Sequence, residues 1–294
     1  MKKVSETIQE FMARISTEIQ TKNAGDYMKD GILYCGSCHK PRRKFIEIPT
    51  PTDSNPNLVS KVLVAINCDC AEKAAALKRA EQQKEETLQT MRRLRNGSLM
   101  DSRFEVSTFS SFECTRANEK NLKICKRYVN RFNAMKQKNQ GLLFWGNVGT
   151  GKSFAAACIA NALIESGITV VMTSFIKILE VFDRKDTELQ KDILDRLNSA
   201  SLLILDDLGA ERGTDYALEK VYYIVDSRYR SGKPLIVTTN LSLSEMMDES
   251  DIRKKRIYDR ILETCYPMQF TGNSWRMKEA NKRFDKMEKF LQEN

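Results

Sequence analysis

Gly146-Asn147-Val148-Gly149-Thr150-Gly151-Lys152-Ser153 decides the reading of the chain. It has the form G-x-x-x-x-G-K-[ST], a loop whose backbone N–H groups cradle phosphates. The apolar run Leu142–Trp145 precedes it, and Phe154–Ile164 follows without Pro or Gly. Strand, Gly-rich loop and helix are the context the motif requires. Gly146, Gly149 and Gly151 allow positive φ and close approach of the backbone to an anion. The helix that follows aims its positive N-terminal end at the same place. Lys152 then predicts a cation at the β/γ-phosphates and Ser153 a hydroxyl ligand for Mg²⁺. A Gly-rich turn that merely precedes Lys-Ser would not bring these flanks with it.

Working outward, the order is strand (Ile168–Thr173), helices (Phe175–Phe182 and Leu189–Asn198), strand (Leu202–Leu205), helix (Asp215–Arg230) and strand (Leu235–Thr239). A helix over Arg116–Lys138 precedes the loop. Such alternation predicts an α/β fold, a parallel sheet flanked by helices, with ligands at the carboxyl ends of the strands. Leu202-Leu203-Ile204-Leu205 runs straight into Asp206-Asp207. Asp206 is placed for the Mg²⁺ shell and Asp207 to orient and polarise an attacking water. The strand Ile236-Val237-Thr238-Thr239 ends on Asn240, an amide able to bond the water or the γ-phosphate. Arg260 and Arg276 complete the set of candidates; on spacing alone each reads equally as a surface cation. An arginine supplied from another subunit would stabilise charge that develops on a transferred phosphoryl group.

The N-terminal third carries a different signal. Cys35-Gly36-Ser37-Cys38 is followed some thirty residues later by Cys68-Asp69-Cys70. Two such pairs can close a tetrahedral S₄ site around structural Zn²⁺, leaving no open position. Unligated buried thiols are the alternative. His39 follows Cys38 directly, so its use as a ligand would strain the geometry. Arg42–Ile48 and Val62–Ile66 read as two strands of a small ribbon, joined by a region with Pro49, Pro51 and Pro56. So little apolar surface needs a staple to fold. A redox role is disfavoured, because no βαβ pattern surrounds the C-x-x-C. Residues 71–95 are strong helix formers ended by Asn96-Gly97-Ser98, a long linker helix. Val4, Ile8, Phe11, Met12, Ile15 and Ile19 have helical spacing, which predicts an amphipathic helix over residues 4–22. The division is then residues 1–100, with a Cys₄ module at about 30–72 and a linker helix at 71–96, and residues 101–294.

Composition bounds the rest. The 294 residues are 41% hydrophobic and 30% charged, and 48 Lys and Arg against 39 Asp and Glu give a net charge of +9. That permits nucleic-acid partners without requiring them. No apolar run reaches the roughly 18 residues a membrane span needs, and the N-terminus has no signal-peptide core, which predicts a cytoplasmic protein with no membrane partner. Eight Cys in that compartment are expected to be reduced.

GNVGTGKS, LLILDDLG, IVTTN, RIYDRI and GNSWR, in that order, resemble the AAA+ ATPases of the DnaC/DnaI/IstB group, bacterial and phage helicase loaders and related transposition ATPases. The resemblance covers about residues 104–294. It implies an AAA+ P-loop NTPase using ATP/ADP and Mg²⁺, with Asn240 as sensor 1, Arg260 as an arginine finger on a neighbouring subunit and Arg276 as sensor 2. It also implies self-association in the ATP- or partner-bound state, a DnaB-type replicative helicase as partner, and single-stranded DNA contacted around Phe175–Asn198. Asp-Asp where many AAA+ proteins carry Asp-Glu implies slow or partner-stimulated hydrolysis. Loader N-terminal domains commonly bind the helicase, and some hold zinc. The expected function is thus an ATP-dependent helicase loader in DNA replication. The competing readings are an IstB-like transposase helper, a P-loop kinase and a non-hydrolysing zinc-containing adaptor.

Overall fold

A computed structural model describes residues 25–49, 59–184, 186–210 and 214–292. The amphipathic helix expected over residues 4–22 lies outside them, as do Pro51 and Pro56 of the expected Pro-rich turn. The chain divides into two compact units, residues 1–87 and 88–294.

The first unit contains two antiparallel ribbons. β1 (Tyr27–Lys29) pairs with β2 (Ile32–Tyr34), and β3 (Arg43–Pro49) pairs with β4 (Val59–Ala65). The second ribbon matches the two expected strands. The first, with three-residue strands, is too short to leave a periodic signal. Helix α1 (Asp69–Gly97) begins at the second cysteine pair, and none of its residues is buried. The division between the units falls within this helix.

The second unit is built on five parallel strands in the order β6-β7-β8-β5-β9. They are β5 (Gly141–Trp145), β6 (Val170–Ser174), β7 (Leu202–Leu208), β8 (Leu235–Thr239) and β9 (Cys265–Gln269). The near-continuous apolar runs of the first four reflect burial on both faces. Alternate residues serve the two sides. Leu143, Leu203, Leu205 and Val237 pack in one cluster, whereas Leu142, Phe144, Leu202 and Ile204 pack in the other. The first cluster is completed by α5 (Phe175–Asp183), α6 (Thr187–Ser199), α7 (Asp215–Arg230) and α9 (Ile252–Thr264). The second is completed by α2 (Glu119–Asn130), α3 (Phe132–Gln137) and α4 (Lys152–Glu165). Helix α4 buries almost its whole circumference, which is why its sequence is apolar all round. Two further helices, α8 (Leu243–Met247) and α10 (Trp275–Gln292), complete the unit.

Two expectations are corrected. The single helix over Arg116–Lys138 is two, because the chain leaves helical geometry at Arg131 (φ −113°, ψ 19°). The break is followed at once by Phe132, which is buried against Tyr128, and packing rather than a Pro or Gly sets it. The strand expected to stop at Leu205 continues to Leu208 through an irregularity. Its pairing with β8 shifts register between Leu205 and Leu208. Strand β9 carries Pro267 and exposed Tyr266, so it lacks the aliphatic run by which the other four are recognised.

Candidate functional site

The loop after β5 turns on three glycines with positive φ: Gly146 (130°), Gly149 (81°) and Gly151 (94°). Space as well as φ excludes a side chain at two of them. A Cβ on Gly146 would lie 2.2 Å from the Phe270 carbonyl oxygen, and one on Gly149 would lie 2.1 Å from Ser274 Oγ. Thr150 Oγ1 donates to the Asn147 carbonyl at 2.8 Å and closes the loop on itself. Trp275 N donates to the Gly149 carbonyl at 2.9 Å, so the start of α10 is bonded to the loop.

Lys152 is buried, and its three ammonium protons have three acceptors. These are the carbonyls of Gly146 (2.7 Å) and Asn147 (2.8 Å) and Asn240 Oδ1 (2.8 Å). Burial lowers its pKa, while Asp207 and Asp206 pull the other way. The Asn240 amide turns its other end to Asp207, with Nδ2 donating to Oδ1 at 3.1 Å.

The register shift in β7 is what presents the two carboxylates. Asp207 has φ 63°, a left-handed conformation that Asp tolerates better than most residues. A bulge of this kind re-aims side chains at a strand end. Thr238 fixes it from the neighbouring strand. Its Oγ1 donates to Asp206 Oδ1 at 2.6 Å and accepts the Asp207 backbone N–H at 2.9 Å.

Lys152, Ser153, Asp206, Asp207, Asn240 and Arg276 all line one cleft of about 500 Å³, together with Val148, Gly149 and Gly151. Arg276 lies close enough to Lys152 to disfavour its charge. Arg260 is not in this cleft. Its Nε donates to Asp226 Oδ1 at 2.7 Å and its Nη2 to the Tyr222 hydroxyl at 2.9 Å, on the flank formed by α9 and α7.

The opposite wall was not legible in the sequence. Arg103, Phe104, Phe112 and Asn118 line the cleft from the irregular segment before α2. Asn161 on α4 holds that segment, donating to the carbonyls of Phe104 and Ser107 at 2.8 Å each. Phe112 packs on Phe154 with centroids 5.8 Å apart, and Glu113 pairs with Lys278 of α10 at 2.6 Å. Two aromatic rings and a guanidinium in the lining suit a flat heterocycle, and the glycine loop suits phosphates.

In the first unit the four expected thiols converge. The sulfurs of Cys35, Cys38, Cys68 and Cys70 all lie within 4.8 Å of one another. Cys70 Sγ is 3.2 Å from Cys68 and 3.3 Å from each of the other two. Tetrahedral Zn–S bonds of about 2.3 Å give S···S edges of about 3.8 Å, so the donor set suits one Zn²⁺. The backbone N–H groups of Cys38 and Ser37 draw the Cys35 thiol down, whereas hydrogen bonds to Cys68, Cys35 and Cys38 push the Cys70 thiol up, so the four sulfurs share their protons unequally. His39 is outside the cluster; its ring contacts Tyr27. All eight cysteines are free thiols.

The helices expected to meet single-stranded DNA, α5 and α6, present a poor electrostatic footprint. Residues 175–198 hold five basic and six acidic side chains. Lys177 pairs with Asp101, and Arg196 with Asp192 at 2.9 Å.

A glycine loop feeding a buried helix, and two adjacent carboxylates at the end of β7 in the same five-stranded parallel sheet, define an AAA+ P-loop nucleotide-binding protein. The model of the IstB-like ATP binding protein family matches residues 74–283, and the chain belongs to that family. It is 25% identical over 214 residues to the replicative helicase loader DnaC of Escherichia coli K12, covering 71% of this chain and 85% of the relative. It is 28% identical over 152 residues to the replicative helicase loader DnaI of Bacillus subtilis, covering 47% of this chain and 48% of the relative. A crystal structure of DnaI shares the fold, with a TM-score of 0.52 at 23% identity over 61% of this chain and 98% of that one. The resemblance to the DnaC/DnaI/IstB group read from the five motifs is borne out. No helix among the described residues is long and apolar enough to cross a membrane.

Proposed function

We propose that the protein is an ATP-dependent loader that delivers a DnaB-type replicative helicase onto single-stranded DNA, with ATP binding and hydrolysis as the switch between assembly and release. The observation that carries this reading is similarity to a helicase loader over 85% of the loader's length. The IstB-like family match favours a second reading, a transposition helper ATPase with the same nucleotide chemistry.

In this proposal ATP is the substrate, with its base between Phe104 and Phe112 and its phosphates on the loop. Ser153 and Asp206 would hold Mg²⁺, which neutralises charge on the phosphates when bound. Lys152 exchanges its carbonyl partners for phosphate oxygens. Asp207 orients the attacking water and accepts its proton, and Asn240 reports the γ-phosphate to both Lys152 and Asp207. Arg276 acts in the same cleft. Arg260 serves the site of a neighbouring subunit in an oligomer, since its own cleft is out of reach. The four thiols hold structural Zn²⁺, and residues 1–100 engage the helicase.

The test is capture and loading. The full-length protein is mixed with the host replicative helicase and circular single-stranded DNA, with ATP or ADP. ATP-dependent transfer of helicase to the circle is expected. Absence of any helicase complex, together with stimulation of a transposase, would replace this reading by the second.

A further inference from the structure

Among the described residues, positive charge is concentrated on elements other than α5 and α6. Residues 116–138 hold eight Lys and Arg against a single carboxylate, Glu119, in a chain whose whole net charge is +9. Glu119 is taken up by Lys123 at 2.6 Å. Lys120, Lys123, Arg127 and Arg131 recur at i, i+3, i+7 and i+11, and all four are exposed. Leu122, Cys125 and Tyr128 form the buried side of the same helix. At 100° per residue the four cations share one stripe turned away from the core. The stripe runs about 16 Å along the axis, and exposed Lys136 and Lys138 continue the charge onto α3. Among the described residues no carboxylate pairs with Lys120, Lys126, Arg127, Arg131 or Lys138.

Like charges one turn apart destabilise a helix unless something outside neutralises them. The chemistry of the face says what that is. Between Val106 and Val148 no large apolar side chain is exposed. Protein interfaces are anchored by aromatic and aliphatic side chains at their centre. Membrane-surface helices insert apolar ones, and single strands stack their bases on aromatic rings. The two helices themselves offer none of these. A duplex, with one negative charge per about 1.7 Å of axis, needs only unpaired cations in a row.

We propose that the exposed face of α2 and α3 is a sequence-independent docking surface for the phosphate backbone of duplex DNA, separate from the nucleotide cleft. It rests on the charge distribution alone and does not depend on which helicase or transposase is the partner. Contacts of this class position a protein without reading sequence. They would let the ATPase sit on double-stranded DNA beside the single strand it acts on.

The experiment uses the full-length protein and a labelled duplex of about 30 base pairs, with anisotropy followed between about 50 and 200 mM salt. The variant is Lys120→Gln/Arg127→Gln/Arg131→Gln, which leaves the Glu119–Lys123 pair in place. Because three phosphate-neutralising cations are removed, the log–log salt slope should become shallower by about 2.7 and affinity at low salt should fall at least about tenfold. Binding of a fluorescent ATP analogue and helical circular dichroism, read on the same samples, should not change. The conservative variant Arg127→Lys/Arg131→Lys should bind duplex nearly as the parent does. Lys177→Gln/Lys191→Gln/Arg196→Gln on α5 and α6 should leave duplex affinity intact. Parental affinity and slope in the α2 variant would overturn the proposal. So would tighter binding of the parent to polyglutamate or to anionic phosphatidylglycerol vesicles than to the duplex.

Discussion

Lys152 Nζ donates to Asn240 Oδ1 at 2.8 Å, joining the phosphate loop to the end of β8. Because Asn240 also donates to Asp207, the loop cation and the candidate base are two hydrogen bonds apart through one amide. Whatever draws Lys152 toward a phosphate therefore frees Asn240 and alters what Asp207 faces. Lys152→Ala should weaken ATP binding about 10- to 100-fold, the worth of one charge-assisted hydrogen bond, without unfolding the protein. Fluorescence titration alongside thermal melting checks both halves.

Asp207→Asn should keep ATP and lose hydrolysis, since the amide preserves shape but cannot take a proton. Asp206→Asn should instead raise the Mg²⁺ concentration needed for activity. Thr238→Val tests the bulge itself. It leaves the Asp207 N–H and an Asp206 oxygen without their partner, at a cost of about 1–3 kcal/mol. Steady-state ATPase against Mg²⁺ concentration separates the three. Parental rates in both Asp variants would place the chemistry elsewhere.

Arg260→Ala should leave ATP affinity of the isolated chain unchanged, because Arg260 lies outside its own cleft. Turnover in assemblies should drop. Mixing this variant with Asp207→Asn should recover part of the activity if the two residues meet across a subunit boundary. A flat response at every mixing ratio would rule out action in trans.

Metal analysis of the purified protein should give one equivalent of zinc. In Cys68→Ser the metal should be lost and the first unit should unfold, since structural zinc is worth on the order of 10 kcal/mol to a small module. Nucleotide binding should survive, because the second unit has its own sheet and core. A folded, metal-free parent protein would overturn the zinc proposal.

Arg228 makes a stability prediction with no bearing on catalysis. It is fully buried, has no carboxylate partner among the described residues, and donates to the carbonyls of Leu197, Ala200, Ser201 and Pro234. Burial lowers its guanidinium to about 10, so it stays charged at neutral pH. Arg228→Met would remove a donor from four carbonyls at the end of α6 and at the entries to β7 and β8. A loss of about 3–5 kcal/mol in urea unfolding is expected.

What could be read before the structure was whatever local chemistry dictates. The phosphate loop, the aliphatic strands that end on Asp206 and Asn240, and the two cysteine pairs each carry their geometry in a few adjacent residues. The rest depends on contacts between distant segments. Nothing in Leu205-Asp206-Asp207-Leu208 announces a bulge; it is held by Thr238, some thirty residues further on. Phe104 and Phe112 look like ordinary loop aromatics until Asn161 pins their segment beside the glycine loop. The break at Arg131 follows from where Phe132 must be buried, which the helical pattern of Arg116–Lys138 cannot express.

The bond from Trp275 N to the Gly149 carbonyl gives α10 a mechanical meaning. The helix is an 18-residue rod, about 27 Å long. Its near end carries Arg276 into the cleft, and its far end exposes Phe284, Met287 and Leu291. A rod has no slack. At its near end Ser274 sits so close to Gly149 that there is no room there for even a methyl group. The tip and Arg276 belong to one unbroken helix, so a partner that holds the one holds the element that carries the other.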